Sequence, residues 1–227
     1  MTDPGLKDRL AAVQERIDAA AARVHRRASD IRLIAVTKVF PATAIRDAYE
    51  LGLRDFGENY VQEFEGKAPQ LADLTGARFH LIGHLQSNKS RRAAELFQVI
   101  QTVDSVKLAR RLAEAGSPNA MIAVMIEVKL SDEPSKWGAA PNDIAAIVDA
   151  CRATANLRLL GLMTVPPWSE DAEQSRPYFA RLRELATWHA LPELSMGMSN
   201  DMEVAIEEGA TCVRVGTALF GRRKKNA

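Results

Sequence analysis

A lysine at the end of a short apolar run is the residue whose position most clearly suggests chemistry. Lys38 follows Ile34, Ala35, Val36 and Thr37, a run that is typical of a buried strand. Because alternate residues of a strand share one face, Lys38 lies on the side of Val36 and Ile34. A lysine there is costly unless it is paired or used, and desolvation favours the neutral amine that attacks an aldehyde. The alternative is a lysine whose stem lines the strand end while its ammonium group reaches solvent.

A second group of residues, near the C-terminus, has the composition of an anion site. Gly216 and Thr217 follow an apolar run and precede a short apolar turn, and Ser199 stands at the start of the preceding helical stretch. Glycine allows close backbone approach, and a helix start offers free N–H groups to an anion. These residues could instead form only a helix cap and a tight turn. Together with Lys38, a phosphate-bearing aldehyde explains both groups.

Arg214 adds a third element to this interpretation. It lies two residues before Gly216, so both should face the same side of the last strand. A buried arginine needs an acceptor, and a pyridine nitrogen is one candidate, since a guanidinium donates hydrogen bonds and does not give up its proton. The alternative is a buried ion pair with Glu58 or Asp104.

The remaining polar residues carry weaker signals. His84 could be a pocket wall or a phosphate neighbour, although a hydrogen-bonded structural histidine is the simpler interpretation. No short ligand spacing joins His80, Asp104 and Glu127, so the sequence predicts no metal site. Two acidic pairs are too loosely spaced to indicate a carboxylate dyad: Glu58/Glu63 and Glu127/Asp132.

These residues need a scaffold that brings distant segments together, and the hydrophobic pattern predicts one. After a helix within residues 1–30, short apolar runs alternate with amphipathic stretches of helical period. The runs predict eight strands, at 33–37, 55–57, 79–82, 99–102, 121–128, 157–163, 194–196 and 212–215. Alternating strands and helices indicate parallel βαβ units, and eight units fit a closed (β/α)₈ TIM barrel better than an open sheet. We therefore expect one α/β barrel domain over residues 1–227, with ligands at the carboxyl ends of the strands and a flexible basic tail at 222–227.

Composition and charge argue against several classes of protein. The 30 basic and 29 acidic residues give a net charge of +1, which is no reason to expect nucleic acid or a membrane surface as partner. Cys151 and Cys212 lie far apart and outside any CxxC pair, so we expect no disulfide framework, and reduced thiols fit a cytoplasmic protein. The N-terminus lacks the apolar segment of a secretory signal, and no run approaches the roughly 20 apolar residues of a membrane span.

Seven longer motifs extend these observations to most of the chain. They are AVTK at 35–38, FGENYVQE at 56–63, FHLIGHLQSNK at 79–89, SKWG at 135–138, GLMT at 161–164, LSMGMSND at 194–201 and VRVGTALFG at 213–221. In these motifs and in their order, the chain closely resembles the YggS/PROSC family, the pyridoxal phosphate homeostasis proteins. Several long motifs together are much more specific than any one of them.

The resemblance implies a barrel like the N-terminal domain of alanine racemase, known as fold type III of the proteins that bind pyridoxal 5′-phosphate (PLP). It implies that Lys38 holds PLP as a Schiff base, that Ser199, Gly216 and Thr217 hold the phosphate, and that Arg214 faces the pyridine nitrogen. Three further residues would be walls of the same pocket: Asn59, His84 and Met163.

The resemblance also implies a function. Family members are thought to store, buffer or deliver PLP inside the cell, with apo forms of PLP-dependent enzymes as transient partners and no firm catalytic activity. The alternative, a PLP-dependent racemase or related enzyme, rests on the barrel and the lysine alone. Racemisation needs an acid/base group on each face of the bound cofactor, and Tyr49, Tyr60 and Tyr178 offer no obvious second group. The sequence also lacks the second domain of alanine racemase, so we expect a monomer.

Overall fold

The strands close into a barrel in which every neighbouring pair is parallel. In the computed structural model, which describes residues 5–116, 121–134 and 136–221, the strands pair in chain order and the last returns to the first. They are β1 Arg32–Val36, β2 Asp55–Glu58, β3 Arg78–Leu81, β4 Val99–Val103, β5 Ile122–Glu127, β6 Leu157–Met163, β7 Glu193–Ser195 and β8 Cys212–Val215. The predicted (β/α)₈ barrel is confirmed, and each predicted strand is correct to within one residue at either end.

Helices follow the strands around the outside of the barrel, and one more precedes β1. They are α1 Leu6–Arg23, α2 Ala42–Glu50, α3 Val61–Lys67, α4 Ser90–Leu96, α5 Val106–Ala115, α6 Ile144–Arg152, α7 Arg176–Trp188, α8 Met202–Glu207 and α9 Thr217–Phe220. Their ends follow local signals. Ser105 caps α5 by accepting a hydrogen bond from the amide of Leu108 at 3.3 Å. Pro177 lies in the first turn of α7, where its missing N–H leaves no helical hydrogen bond unmade.

α1 is the helix that the repeating unit does not require, and it supports the last two units. It begins at Leu6, with Gly5 at the N-cap position. Arg16 forms an ion pair with Glu203 at 2.5 Å and donates a hydrogen bond to the carbonyl of Ser199 at 2.9 Å. The expected N-terminal helix therefore holds the loop after β7, which contains one of the predicted phosphate-binding residues.

The apolar core lies mainly between the strands and the helices, whereas the interior of the barrel also contains polar side chains. Phe56, Phe64 and Phe79 form part of the outer layer, with the rings of Phe64 and Phe79 4.5 Å apart between centroids. Ser195 on β7 donates to Oε1 of Gln101 on β4 at 2.6 Å. Because β4 and β7 are not neighbours, this bond crosses the interior. The barrel therefore has polar groups inside that can support a site at its mouth.

Three further expectations concerned the two cysteines, membrane-spanning helices and the basic tail. Cys151 and Cys212 are both buried with free thiols, and burial raises the pKa of each thiol to about 11. Across the described ranges, no helix combines the length and the hydrophobicity that a membrane crossing requires. The basic tail at 222–227 lies outside the described residues.

Candidate functional site

A cavity of about 670 Å³ opens at the carboxyl ends of the strands. Six of the eight predicted site residues line it: Lys38, Asn59, Ser199, Arg214, Gly216 and Thr217. They come from β8 and from the segments that follow β1, β2, β7 and β8. Closure of the barrel therefore brings together residues from both ends of the sequence, and we call this space the main cavity.

Lys38 lies in a tight turn just after β1, as expected of a residue that follows the predicted strand at 33–37. β1 ends at Val36, and the amide of Phe40 donates to the carbonyl of Thr37 at 3.0 Å. Val39 has a φ of 63°, a left-handed conformation that is unfavourable for a β-branched residue. A turn that keeps such a residue must be held by its surroundings, which fixes the backbone of Lys38 at the wall of the main cavity.

A charged cluster between the barrel and α3 holds this turn. Lys67 Nζ donates to Glu58 at 2.9 Å, to Glu63 at 2.6 Å and to the carbonyl of Thr37 at 3.1 Å. Thr37 Oγ1 donates to Glu58 at 2.7 Å, and the amide of Val39 donates to Glu63 at 2.5 Å. We call Thr37, Glu58, Glu63 and Lys67 the outer cluster. It binds the chain on both sides of the candidate lysine.

The spacing of Glu58 and Glu63 gave no sign of this cluster, because one residue belongs to β2 and the other to α3. The available signal was the spacing of four residues between Glu63 and Lys67, which places both on one face of a helix. Burial raises the pKa of Glu58, although Thr37 and Lys67 both donate hydrogen bonds to its carboxylate. The cluster therefore contains one carboxylate whose charge depends on the nearby ammonium group.

Ser199, Gly216 and Thr217 form one edge of the main cavity. Ser199 Oγ accepts a hydrogen bond from the amide of Ala218 at 3.2 Å, which connects the loop after β7 to the start of α9. A Cβ added to Gly216 would lie 3.3 Å from the Cβ of Val36, so a side chain there would crowd the wall. Hydroxyl groups and backbone amides that can approach closely are typical hydrogen-bond donors to a phosphate.

Arg214 is buried, yet it reaches the main cavity from β8. Nη1 donates to Ser195 Oγ at 2.7 Å, and Nη2 donates to the carbonyl of Thr164 at 2.8 Å. Burial lowers the pKa of Arg214. Arg214 does not form the ion pair with Glu58 or Asp104 that was the alternative interpretation. Glu58 pairs with Lys67 in the outer cluster, and the terminal nitrogens of Arg214 donate to neutral groups.

Glu127, at the end of β5, is a buried carboxyl group whose Oε2 has no hydrogen-bond partner within the described part of the chain. Burial raises its pKa to about 7; attraction to Arg214 opposes this shift, and repulsion from Asp104 adds to it. In the same described ranges, no three His, Cys, Asp or Glu side chains are placed to hold a metal ion. Burial is therefore the main cause of the raised pKa of Glu127.

His84 and Met163 are not among the residues that line the main cavity. His84 stacks on Trp137, with ring centroids 3.8 Å apart, and lines an adjoining cavity of about 480 Å³ that shares Asn59 with the main cavity. Its Nδ1 lies 3.6 Å from Oδ2 of Asp104. Met163 is fully buried at the end of β6. Contact between these two residues and a ligand in the main cavity stays a prediction.

Known proteins of similar sequence and fold cover the whole barrel. Residues 9–224 match the protein family described as alanine racemase, N-terminal domain. The chain is 47% identical to a pyridoxal phosphate homeostasis protein of Pseudomonas aeruginosa, over 98% of this chain and 97% of the relative. PipY of Synechococcus elongatus PCC7942, in its structure with PLP bound, is similar with a TM-score of 0.84 at 38% identity, over 95% of this chain and 100% of PipY. Alanine racemase from Corynebacterium glutamicum has a TM-score of 0.70 at 18% identity, over 96% of this chain and 62% of the racemase, and this likeness concerns the fold alone.

Proposed function

Because this chain belongs to the family of pyridoxal phosphate homeostasis proteins, built on the alanine racemase N-terminal domain, we propose that it binds PLP in the main cavity. We further propose that Lys38 holds the cofactor as a Schiff base. The observation that carries this proposal is a single cavity lined by Lys38, Arg214, Ser199 and Thr217, whose side chains carry an amine, a guanidinium and two hydroxyls. PipY, a relative at 38% identity whose structure holds PLP, supports the proposed binding of PLP.

The groups that line the main cavity fit each part of PLP. Lys38 provides the amine for the aldehyde, and Ser199, Gly216 and Thr217 provide hydroxyls and close backbone for the phosphate. Arg214 provides a donor that leaves a pyridine nitrogen unprotonated. When bound, the cofactor supplies a reactive aldehyde and an electron-withdrawing ring. The volume of the cavity also lies within the range of about 300–1,000 Å³ that is usual for small-molecule sites.

We propose that the chain stores, buffers or delivers PLP rather than catalysing a reaction with it. A guanidinium beside the ring nitrogen weakens the ring as an electron sink. Racemisation also needs an acid/base group on each face of the cofactor, and none of the three tyrosines lines the main cavity. The hydroxyl of Tyr49 donates to the carbonyl of Thr75 at 2.7 Å, Tyr60 lines the adjoining cavity, and Tyr178 belongs to α7.

The partners and the oligomeric state belong to the same proposal. A protein that delivers PLP would meet apo forms of PLP-dependent enzymes transiently, and we propose that it does so as a monomer in the cytoplasm. Light scattering of the purified protein measures the oligomeric state directly, and a stable dimer would contradict this part of the proposal.

Covalent trapping tests the role of Lys38. Protein loaded with PLP and reduced with borohydride should carry the cofactor on the peptide that contains Lys38, and Lys38→Ala should carry none. Lys89→Ala is the matched control, because Lys89 lines the adjoining cavity and its removal should leave trapping unchanged. Trapping that persists in Lys38→Ala and maps to another lysine would show that the assignment is wrong.

Isotope exchange tests the absence of catalysis. The loaded protein is incubated with a panel of L- and D-amino acids in heavy water, and deuterium at the α-carbon is measured. A carrier should at most exchange its Schiff base with the amino acid once per protein molecule, without repeated turnover at the α-carbon. Many turnovers on any amino acid, lost in Lys38→Ala, would contradict the carrier proposal and favour a racemase or related enzyme.

A further inference from the structure

A series of hydrogen bonds runs through the interior of the barrel, starting at the main cavity. Nη1 of Arg214 donates to Ser195 Oγ at 2.7 Å, and Ser195 donates to Oε1 of Gln101 at 2.6 Å. Nε2 of Gln101 lies 3.0 Å from Nδ1 of His80, and Nε2 of His80 lies 2.8 Å from Oδ1 of Asp55. We call these five residues the inner chain. They belong to five different strands, so only the closed barrel brings them together.

The chemistry of the groups fixes the direction of each bond in the inner chain. A guanidinium only donates and an ionised carboxylate only accepts, so Arg214 donates to Ser195 and a neutral His80 donates from Nε2 to Asp55. Nδ1 of the neutral His80 is then an acceptor, and the NH₂ group of Gln101 donates to it. The amide oxygen of Gln101 therefore accepts the hydroxyl proton of Ser195. Every donor points the same way, from Arg214 toward Asp55.

The electrostatics at the far end agree with this direction. Burial lowers the pKa of His80, although Asp55 opposes the shift, so the imidazole is neutral as the bonds require. Burial alone would raise the pKa of Asp55, but hydrogen bonds from His80 and Arg78 outweigh it and hold that pKa below its usual value. A cation at one end and an ionised carboxylate at the other polarise the neutral groups between them in the same sense.

Partners on two different segments hold the terminal nitrogens of Arg214. Nη1 bonds to Ser195 on β7, and Nη2 bonds to the carbonyl of Thr164 just after β6, at 2.8 Å. The residue is only 4% exposed, so rotation of the guanidinium would leave buried donors unpaired. The guanidinium is therefore kept in one orientation at the wall of the main cavity.

We propose that Ser195, Gln101 and His80 are positioning residues that hold Arg214 against the ring of the bound cofactor, with Asp55 as the fixed end of the inner chain. The proposal rests on the proposed function, because Arg214 contacts a ring only if PLP occupies the main cavity. Of the five residues, only Arg214 lines that cavity, so the others act through it. Residues that orient a ligand-contacting side chain affect both the affinity for the ligand and its electronic environment.

The test removes links of the inner chain one at a time. Ser195→Ala removes the hydroxyl next to Arg214, Gln101→Leu breaks the chain one step further away, and Ser195→Thr restores a hydroxyl. Thr102→Val is the matched control, because Thr102 follows Gln101 on β4 but its buried hydroxyl donates to the carbonyl of Gly83 at 2.9 Å, outside the inner chain. For each protein, the dissociation constant for PLP, the absorption spectrum of the bound cofactor across neutral pH and the melting temperature without ligand are measured.

Ser195→Ala and Gln101→Leu should each weaken PLP binding roughly tenfold, the size of effect expected when a residue that orients a ligand-contacting side chain is lost. Both should shift the absorption band in the same direction, whereas Ser195→Thr and Thr102→Val should keep the wild-type affinity and spectrum. If Ser195→Ala and Gln101→Leu lower only the melting temperature, the inner chain is merely structural and the inference is wrong. If wild-type protein itself does not retain PLP on Lys38, the proposed function falls and the inference with it, and borohydride trapping identifies that outcome separately.

Nitrogen-15 NMR tests the direction of the inner chain in the ligand-free protein. The imidazole signals of His80, identified by their loss in His80→Gln, should show a neutral ring with its proton on Nε2 across neutral pH. A proton on Nδ1 would reverse the bond to Gln101 and overturn the proposed arrangement.

Discussion

The outer cluster and the inner chain both hold residues of the main cavity, but they are built from different chemistry. The outer cluster gathers two carboxylates around one ammonium group and fixes the backbone turn that contains Lys38. The inner chain joins Arg214 to Asp55 through three neutral side chains and fixes the orientation of a guanidinium. Both networks bury charged groups: Glu58 and Lys67 in the outer cluster, and Arg214 and Asp55 in the inner chain. In the outer cluster the opposite charges are in direct contact, whereas in the inner chain they stand at the two ends with neutral groups between them.

This difference predicts unequal effects when each network is cut. Removal of one member of a buried ion pair leaves a charge without compensation, which typically costs about 3–5 kcal/mol of stability. Removal of a neutral link leaves an unpaired polar group, which typically costs about 1–3 kcal/mol. Stability measurements on matched variants therefore test the comparison directly.

Lys67→Met should have the largest effect on stability. It removes the ammonium group that bonds to Glu58 and Glu63, so we expect the free energy of unfolding to fall by about 3–5 kcal/mol in urea denaturation. Gln101→Leu, the matched cut in the inner chain, should cost about 1–3 kcal/mol.

A double variant separates the charge effect from lost packing. Glu58→Gln added to Lys67→Met should recover part of the stability, because the uncompensated carboxylate is then gone. Equal losses in Lys67→Met and Gln101→Leu, with no recovery in the double variant, would remove the distinction between the two networks.

The parts of the molecule that sequence could predict are those that depend on local pattern. Strand β6 was predicted at its observed bounds, 157–163, because its apolar run is bounded by polar residues. Lys38, Arg214 and Gly216 were assigned to one site because parallel strands place their carboxyl ends together. These inferences needed only periodicity and the geometry of the barrel.

The networks that support the site could not be predicted in this way. Gln101 and Ser195 are 94 positions apart on strands that are not neighbours, and their contact depends on how the closed barrel is filled. The left-handed conformation of Val39 has no signal in a residue type that disfavours it. It follows instead from the bond between its amide and Glu63. Supporting contacts of this kind arise from tertiary packing rather than from propensity.

Glu127 sharpens the comparison, because it is a buried carboxyl group that belongs to neither network. Its Oε2 has no hydrogen-bond partner among the described residues, whereas Glu58 is bonded to Lys67 and Thr37. Its pKa rises from the ordinary 4.5 to about 7. Between these values the native protein keeps a proton that the unfolded chain has released, so stability falls as the pH rises through this window.

Glu127→Gln should abolish this loss of stability. Below the ordinary pKa both states hold the proton, and the variant should match wild type; above the raised pKa the buried charge destabilises the native state by about 3 kcal/mol, which the neutral amide avoids. Urea denaturation at about pH 5 and about pH 8 should therefore show a small gain at the lower pH and a larger gain at the higher pH. Glu184→Gln is the control, since this residue lies on the exposed side of α7 and its ion pair with Arg181 should contribute less than about 1 kcal/mol at either pH. A gain in Glu127→Gln that did not grow with pH would mean that the carboxyl group of Glu127 is compensated, as the carboxylate of Asp55 is by His80 and Arg78.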